Sequence, residues 1–131
     1  MSISVMIVDD DVDDMEMFVE AINAVDPTVA CLQAKDGIRG LARVNNAAQK
    51  PAIIFVDMNM PKMTGQEFVA EVRKNHACDG IKLIIYSTSR PDSTVLHGAD
   101  GFISKPTRLE DLCIEIARVI KGDGDVHAPA T

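Results

Sequence analysis

Five times over, a short apolar run gives way to a segment whose apolar residues recur at helical spacing, and nothing else limits the fold of this 131-residue chain so strongly. The runs are Ile3 to Val8, Val29 to Leu32, Ile53 to Val56, Leu83 to Tyr86 and Gly101 to Ser104. Unbroken apolar runs of this length suit strands covered on both faces, and strands alternating with helices imply a parallel sheet joined by right-handed crossovers. The expected fold is therefore α/β, one doubly wound sheet of five parallel strands.

Caps and faces place the helices. Met15, Phe18, Ile22 and Val25 form one stripe, with Asp13 and Asp14 in its first turn and Pro27 closing it. Asp36 is expected to cap a helix that buries Ile38, Leu41 and Ala42. Thr64 and Glu67 make a capping box ahead of Phe68, Val69 and Val72, and Thr107 and Glu110 a second one. That second box precedes the strongest stripe of all, Leu109, Leu112, Cys113, Ile116, Val119 and Ile120, which Gly122 should stop. Between Pro91 and Gly98 there is room for a helix of only about two turns. Residues 1–122 read as one domain and residues 123–131 as a disordered tail.

Composition narrows the function. With 47% hydrophobic and 25% charged residues the chain is an ordinary globular protein rather than a disordered one. A formal net charge of −7 argues against nucleic acid as a partner and suits a cation. Cys31, Cys78 and Cys113 are far apart and read as reduced structural thiols, neither a disulfide framework nor a zinc site. His76, His97 and His127 read as surface residues. No basic leader precedes an apolar segment, and no apolar run approaches the ~20 residues of a membrane span, so a cytoplasmic protein with no membrane partner is expected.

The strand ends carry the chemistry. Asp9 and Asp10 follow the first strand, Asp57 the third, Ser87 the fourth and Lys105 the fifth, and a parallel sheet brings such ends to one edge. Two or three carboxylates gathered there repel one another unless a divalent cation joins them. A set of hard oxygen ligands favours Mg²⁺, beside which a carboxylate can act as nucleophile toward phosphorus. Lys105 and Ser87 would then neutralise and hydrogen-bond the transferred oxygens. Asp11, Asp13 and Asp14 are explained by a solvated helix amino-terminus and stay outside this site.

These pieces resemble the receiver domain of two-component response regulators over about residues 3 to 121: an acidic pair after the first strand, Val-Asp-Met-Asn-Met-Pro-Lys-Met-Thr-Gly around Asp57, a hydroxyl ending the fourth strand, and Lys105-Pro106. The resemblance implies a flavodoxin-like sheet in the order 2-1-3-4-5 flanked by five helices. It makes Asp57 the phosphoacceptor, Asp10 and the Asn59 backbone carbonyl direct Mg²⁺ ligands beside Asp57, and Asp9 a ligand through water. Ser87 and Phe102 become the switch pair, Lys105 the lysine that meets the phosphoryl group, and the Lys105–Pro106 bond is implied to be cis. Asn59 and Ser89 fall where relatives tune the lifetime of the phosphoryl group. The partners implied are a sensor histidine kinase or a histidine phosphotransfer protein and an unknown downstream protein. Output would run through the surface of the short fourth helix, the fifth strand and the last helix.

This sequence departs from the family's pattern in two places. The segment from Ser87 to Lys105 is about one helical turn shorter than is usual, which bears on any dimer face built there; a monomer or weak dimer is expected. Only a short tail follows the last helix, so a single-domain, stand-alone regulator is expected. Two rivals from other classes use overlapping residues. A haloacid-dehalogenase-like phosphohydrolase would place its nucleophile in Asp9-Asp10-Asp11-Val12 and leave Asp57 idle, and a pseudo-receiver would keep the fold without taking phosphate. A flavin module is disfavoured by the acidic loop after the first strand.

Overall fold

The computed structural model describes residues 3–88 and 98–121. In chain order it contains β1 (Ser4–Val8), α1 (Val12–Val25), β2 (Ala30–Ala34), α2 (Gly37–Asn46), β3 (Ile53–Asp57), α3 (Gly65–Arg73), a 3-10 turn (His76–Cys78), β4 (Lys82–Ser87), β5 (Gly101–Ser104) and α4 (Leu109–Lys121). The strands form one all-parallel sheet in the order β2-β1-β3-β4-β5, as expected. Among the described residues there are four α-helices. The helix expected between Pro91 and Gly98 and the tail from residue 123 fall outside the described residues.

Strand residues alternate between two cores. Val5, Ile7, Phe55, Ile84 and Tyr86 face α1 and α4, where Phe18 sits with its ring 4.7 Å from that of Phe55 and 5.4 Å from that of Tyr86. Met6, Val8, Ile54, Val56 and Ile85 face the other way, onto Val44 of α2 and Phe68, Val69 and Val72 of α3. Each such side chain contributes about 1.5–3 kcal/mol on burial, so both faces of every central strand must be apolar. The unbroken runs in the sequence have this origin.

The expected face of α2 is corrected. Ile38 and Ala42 are exposed and Leu41 is half-buried; the helix packs through Gly37, Gly40 and Val44. A side chain at Gly37 would meet Met63 Sδ at 2.8 Å, and one at Gly40 would meet Phe68 and Val8 at 3.1 Å. Closeness, not hydropathy, set this face. The second capping box is corrected as well. Helix α4 begins at Leu109, and the carbonyl of Arg108 accepts its early bond from the Leu112 N–H, which leaves Thr107 outside the cap. The first box, Thr64 with Glu67, forms in both directions.

Register aligns the strand ends. Val8 pairs with both Ala34 and Val56, Asp57 with Tyr86, and Ser87 with Ser104. Ladder bonds run one residue further, from Asp9 N–H to the Ala34 carbonyl (3.1 Å) and from Lys105 N–H to the Ser87 carbonyl (2.7 Å). The backbones of Asp9 and Lys105 are therefore fixed by the sheet rather than by loops. Arg73 secures the approach to β5: its guanidinium donates to the carbonyls of Gly98 (3.0 Å) and Ile81 (3.1 Å) and to Asp100 Oδ2 (2.8 Å), which also accepts the Leu83 N–H.

Candidate phosphoacceptor site

Asp9, Asp10 and Asp57 meet at the carboxyl edge of β1 and β3, each offering a carboxylate oxygen within 4.8 Å of the other two. Asp9 and Asp57 are buried, whereas Asp10 is exposed. Lys105 reaches in from the end of β5. Its Nζ lies 2.9 Å from Asp9 Oδ2, 2.8 Å from Asp14 Oδ2 and 3.4 Å from Asp57 Oδ1, and 5.2 Å from the centre of the Tyr86 ring. Ser87 is buried at the end of β4, one position beyond the partner of Asp57. Four of the strand-end groups singled out from sequence, Asp9, Asp10, Asp57 and Lys105, are thus brought together, and Ser87 stands on the same edge.

The turn after β3 aims Asp57. Asn59 is exposed, and its backbone N–H favours the ionised form of the Asp57 carboxylate. Lys62 takes the left-handed conformation, φ 72°, unusual for a side chain with a Cβ, and Met63 N–H closes onto the Pro61 carbonyl at 2.8 Å. Gly65 N–H then bonds the Met58 carbonyl at 2.9 Å, drawing the start of α3 against the backbone of Asp57. Phe102 is half-buried on the α2–α3 side of the sheet.

Electrostatics mark the site as short of positive charge. Burial pushes Asp57 up to about 6; the ammonium of Lys105 and the Asn59 N–H pull the other way, and the carboxylate of Asp9 adds to the rise. Burial likewise raises Asp9, against the bonds from Lys105 and the Asp11 N–H. For Lys105 burial alone would lower the pKa, yet its bonds to Asp14 and Asp9 and the field of Asp9 and Asp57 outweigh this, so it is raised and the side chain stays an ammonium. Among the described residues Asp9 Oδ2 has no hydrogen-bond partner of good geometry, and Lys105 meets it as an ion pair at 2.9 Å. Three carboxylates gathered in an all-oxygen cluster, with burial raising Asp9 and Asp57, are what a hard divalent cation would complete, so the residues fit Mg²⁺.

Linkage gives this deficit a measurable form. The folded-state value for Asp57, about 6, lies above the ordinary 3.8, so the folded state binds more protons between these values and stability falls as pH rises through that window. Asp57→Asn removes the burden. In Mg²⁺-free buffer at pH 7.5 the variant should be more stable than wild type by about 1–3 kcal/mol in urea denaturation, with the gain gone at pH 4. A variant less stable than wild type at pH 7.5 would contradict the burial argument.

Two expectations change. Every peptide bond among the described residues is trans, Lys105–Pro106 included, which corrects the implied cis bond. The trans form is the intrinsic preference of such a bond, and with it Lys105 already reaches all three carboxylates. Asp14, set aside as part of a solvated helix start, belongs to the site. Asp11 does cap α1, accepting the Asp14 N–H at 3.0 Å, but the Asp14 carboxylate turns to Lys105. A signal existed: Asp14 stands four residues before the buried Phe18, on the same face of α1. Ser89 falls outside the described residues.

Comparison with known proteins gives a family and a fold. Residues 5–117 match the response regulator receiver domain. The sensor histidine kinase CheAY of Helicobacter pylori is 37% identical over 102 residues, which is 74% of this chain and only 13% of that kinase's length. The chemotaxis response regulator CheY4 of Vibrio cholerae superposes with a TM-score of 0.79 at 28% identity, covering 91% of this chain and 99% of that one. The Mn²⁺-bound form of response regulator Rcp1 shares the fold with a TM-score of 0.75 at 22% identity, covering 98% and 99%. Among the described residues, no helix is long and apolar enough to cross a membrane.

Proposed function

We propose, because this chain belongs to the response regulator receiver family, that Asp57 accepts a phosphoryl group from a phosphohistidine and that the chain signals through the change this produces. The observation that carries the reading is the cluster itself: a buried nucleophilic carboxylate with two further carboxylates and a lysine at one sheet edge. A carboxylate oxygen of Asp57 attacks phosphorus, the bond from phosphorus to the donor's ring nitrogen breaks, and the electron pair leaves with the imidazole. Asp57 must be ionised to attack, and Lys105 and the Asn59 N–H favour that form.

The residues that would hold Mg²⁺ are Asp10, Asp57 and the Asn59 carbonyl, with Asp9 acting through water. Bound there, the ion would neutralise carboxylate charge and the charge that develops on the transferred oxygens. Lys105 takes one of those oxygens and Ser87 another. A shift of Ser87 toward the phosphoryl group would vacate space for Phe102, whose half-buried ring can then move inward and alter the surface of β5 and its neighbours. The donor is a sensor histidine kinase or a histidine phosphotransfer protein, and the receiver of the signal is a protein rather than DNA or a membrane.

Intact-mass measurement after incubation with acetyl phosphate tests the reading. Wild type with Mg²⁺ should gain the mass of one phosphoryl group, and wild type with EDTA and Asp57→Asn with Mg²⁺ should gain none. A gain that survives Asp57→Asn, or wild type that gains nothing with Mg²⁺, contradicts it.

A further inference from the structure

We infer that Asp14 is a positioning residue that competes with the phosphoryl group for Lys105 and so slows phosphorylation of Asp57. The inference rests on the phosphoacceptor reading and extends it to a residue on α1. Three carboxylates share the Lys105 ammonium, and the division is unequal: Asp14 at 2.8 Å and Asp9 at 2.9 Å hold it, while Asp57 at 3.4 Å is the most distant. The ammonium is thus drawn toward β1 and α1, away from the Asp57 carboxylate.

Only one of the two close partners can let go cheaply. The Asp9 side chain is fully buried, so parting it from Lys105 would leave a carboxylate with no water to replace the contact. The Asp14 side chain is 37% exposed and opens to solvent, which can rehydrate it as Lys105 turns to the phosphoryl oxygens. Asp14 is also held independently of Lys105, through the α1 backbone, whose N–H at Asp14 is fixed by the Asp11 cap. It therefore stays in place as a standing competitor, and breaking its charge-assisted bond is part of the barrier to reaction.

Initial rates with acetyl phosphate at saturating Mg²⁺ test this in wild type, Asp14→Asn and Asp14→Glu, and again for Asp14→Asn in a Lys105→Met background. Asp14→Asn should react roughly three- to tenfold faster than wild type, and Asp14→Glu, which keeps the competing charge, should stay near the wild-type rate. In the Lys105→Met background Asp14→Asn should change little, because the competitor has nothing left to hold. Equal acceleration in both backgrounds would mean a general effect of negative charge on a dianionic donor and overturns the inference, as does an Asp14→Asn rate matching wild type. Should Lys105→Met fold too poorly to assay, acceleration in Asp14→Glu equal to that in Asp14→Asn overturns it instead. Wild type that takes no phosphoryl group at all overturns the phosphoacceptor reading beneath it.

Discussion

Lys105→Met should lower stability by about 2–4 kcal/mol at pH 7.5 in Mg²⁺-free buffer, because the buried carboxylates beside it lose their nearest cation. Asp9 is fully buried, Asp57 is nearly so, and burial already raises both. Without Lys105, ionising them costs more, and their protonated forms extend to higher pH. The deficit should therefore shrink as pH is lowered toward 5, where protons take the place of the ammonium, and should shrink again on adding Mg²⁺ at pH 7.5. Urea denaturation across pH and Mg²⁺ concentration reads all of this. Phosphorylation should fall by about two orders of magnitude even at saturating Mg²⁺, since the transferred oxygens lose the cation that turns to meet them. Lys105→Met as stable as wild type at pH 7.5 would contradict the picture of a charge-starved site.

Gly65→Ala should cost about 2–3 kcal/mol and cut the phosphorylation rate by on the order of tenfold or more. A Cβ at this position would stand 2.5 Å from the backbone oxygen of Asp57 and 2.9 Å from the Cα of Met58. Neither is the end of a flexible side chain, so the β3–α3 junction must open, and Asp57 moves with it. Gly80 supplies the control, because among the described residues nothing lies within 4 Å of a Cβ placed there. Gly80→Ala should be neutral within about 0.5 kcal/mol and phosphorylate normally. Equal behaviour of the two variants would show that the close approach at Gly65 does not govern the site.

Much of this was legible because burial on two faces forces unbroken apolar strands. Where such a strand ends in a charge, as at Val8–Asp9 and Val56–Asp57, the charge must lie at the sheet edge, and the parallel register then assembles the site. Other features left weaker traces. Glycine has no hydropathy, so the packing face of α2 through Gly37 and Gly40 was hidden behind the more obvious Ile38, which is exposed. Arg73 and Asp100 are joined across 27 positions by a contact that no local pattern announces. The isomer of the Lys105–Pro106 bond is not written in the dipeptide. Asp14 shows the opposite error: a solvated helix amino-terminus was explanation enough for a cluster of acids, and it suits Asp11, which caps α1, but not Asp14, whose carboxylate turns to Lys105.

Trapping the acyl phosphate tests the central claim most directly. Protein treated with acetyl phosphate and Mg²⁺ is reduced with borohydride, which converts a phosphorylated aspartate to homoserine, and is digested for peptide mass spectrometry. Homoserine at position 57, and nowhere else, is the predicted result. Homoserine at position 9, 10 or 11, with position 57 unchanged, would contradict it and place the nucleophile on the loop after β1.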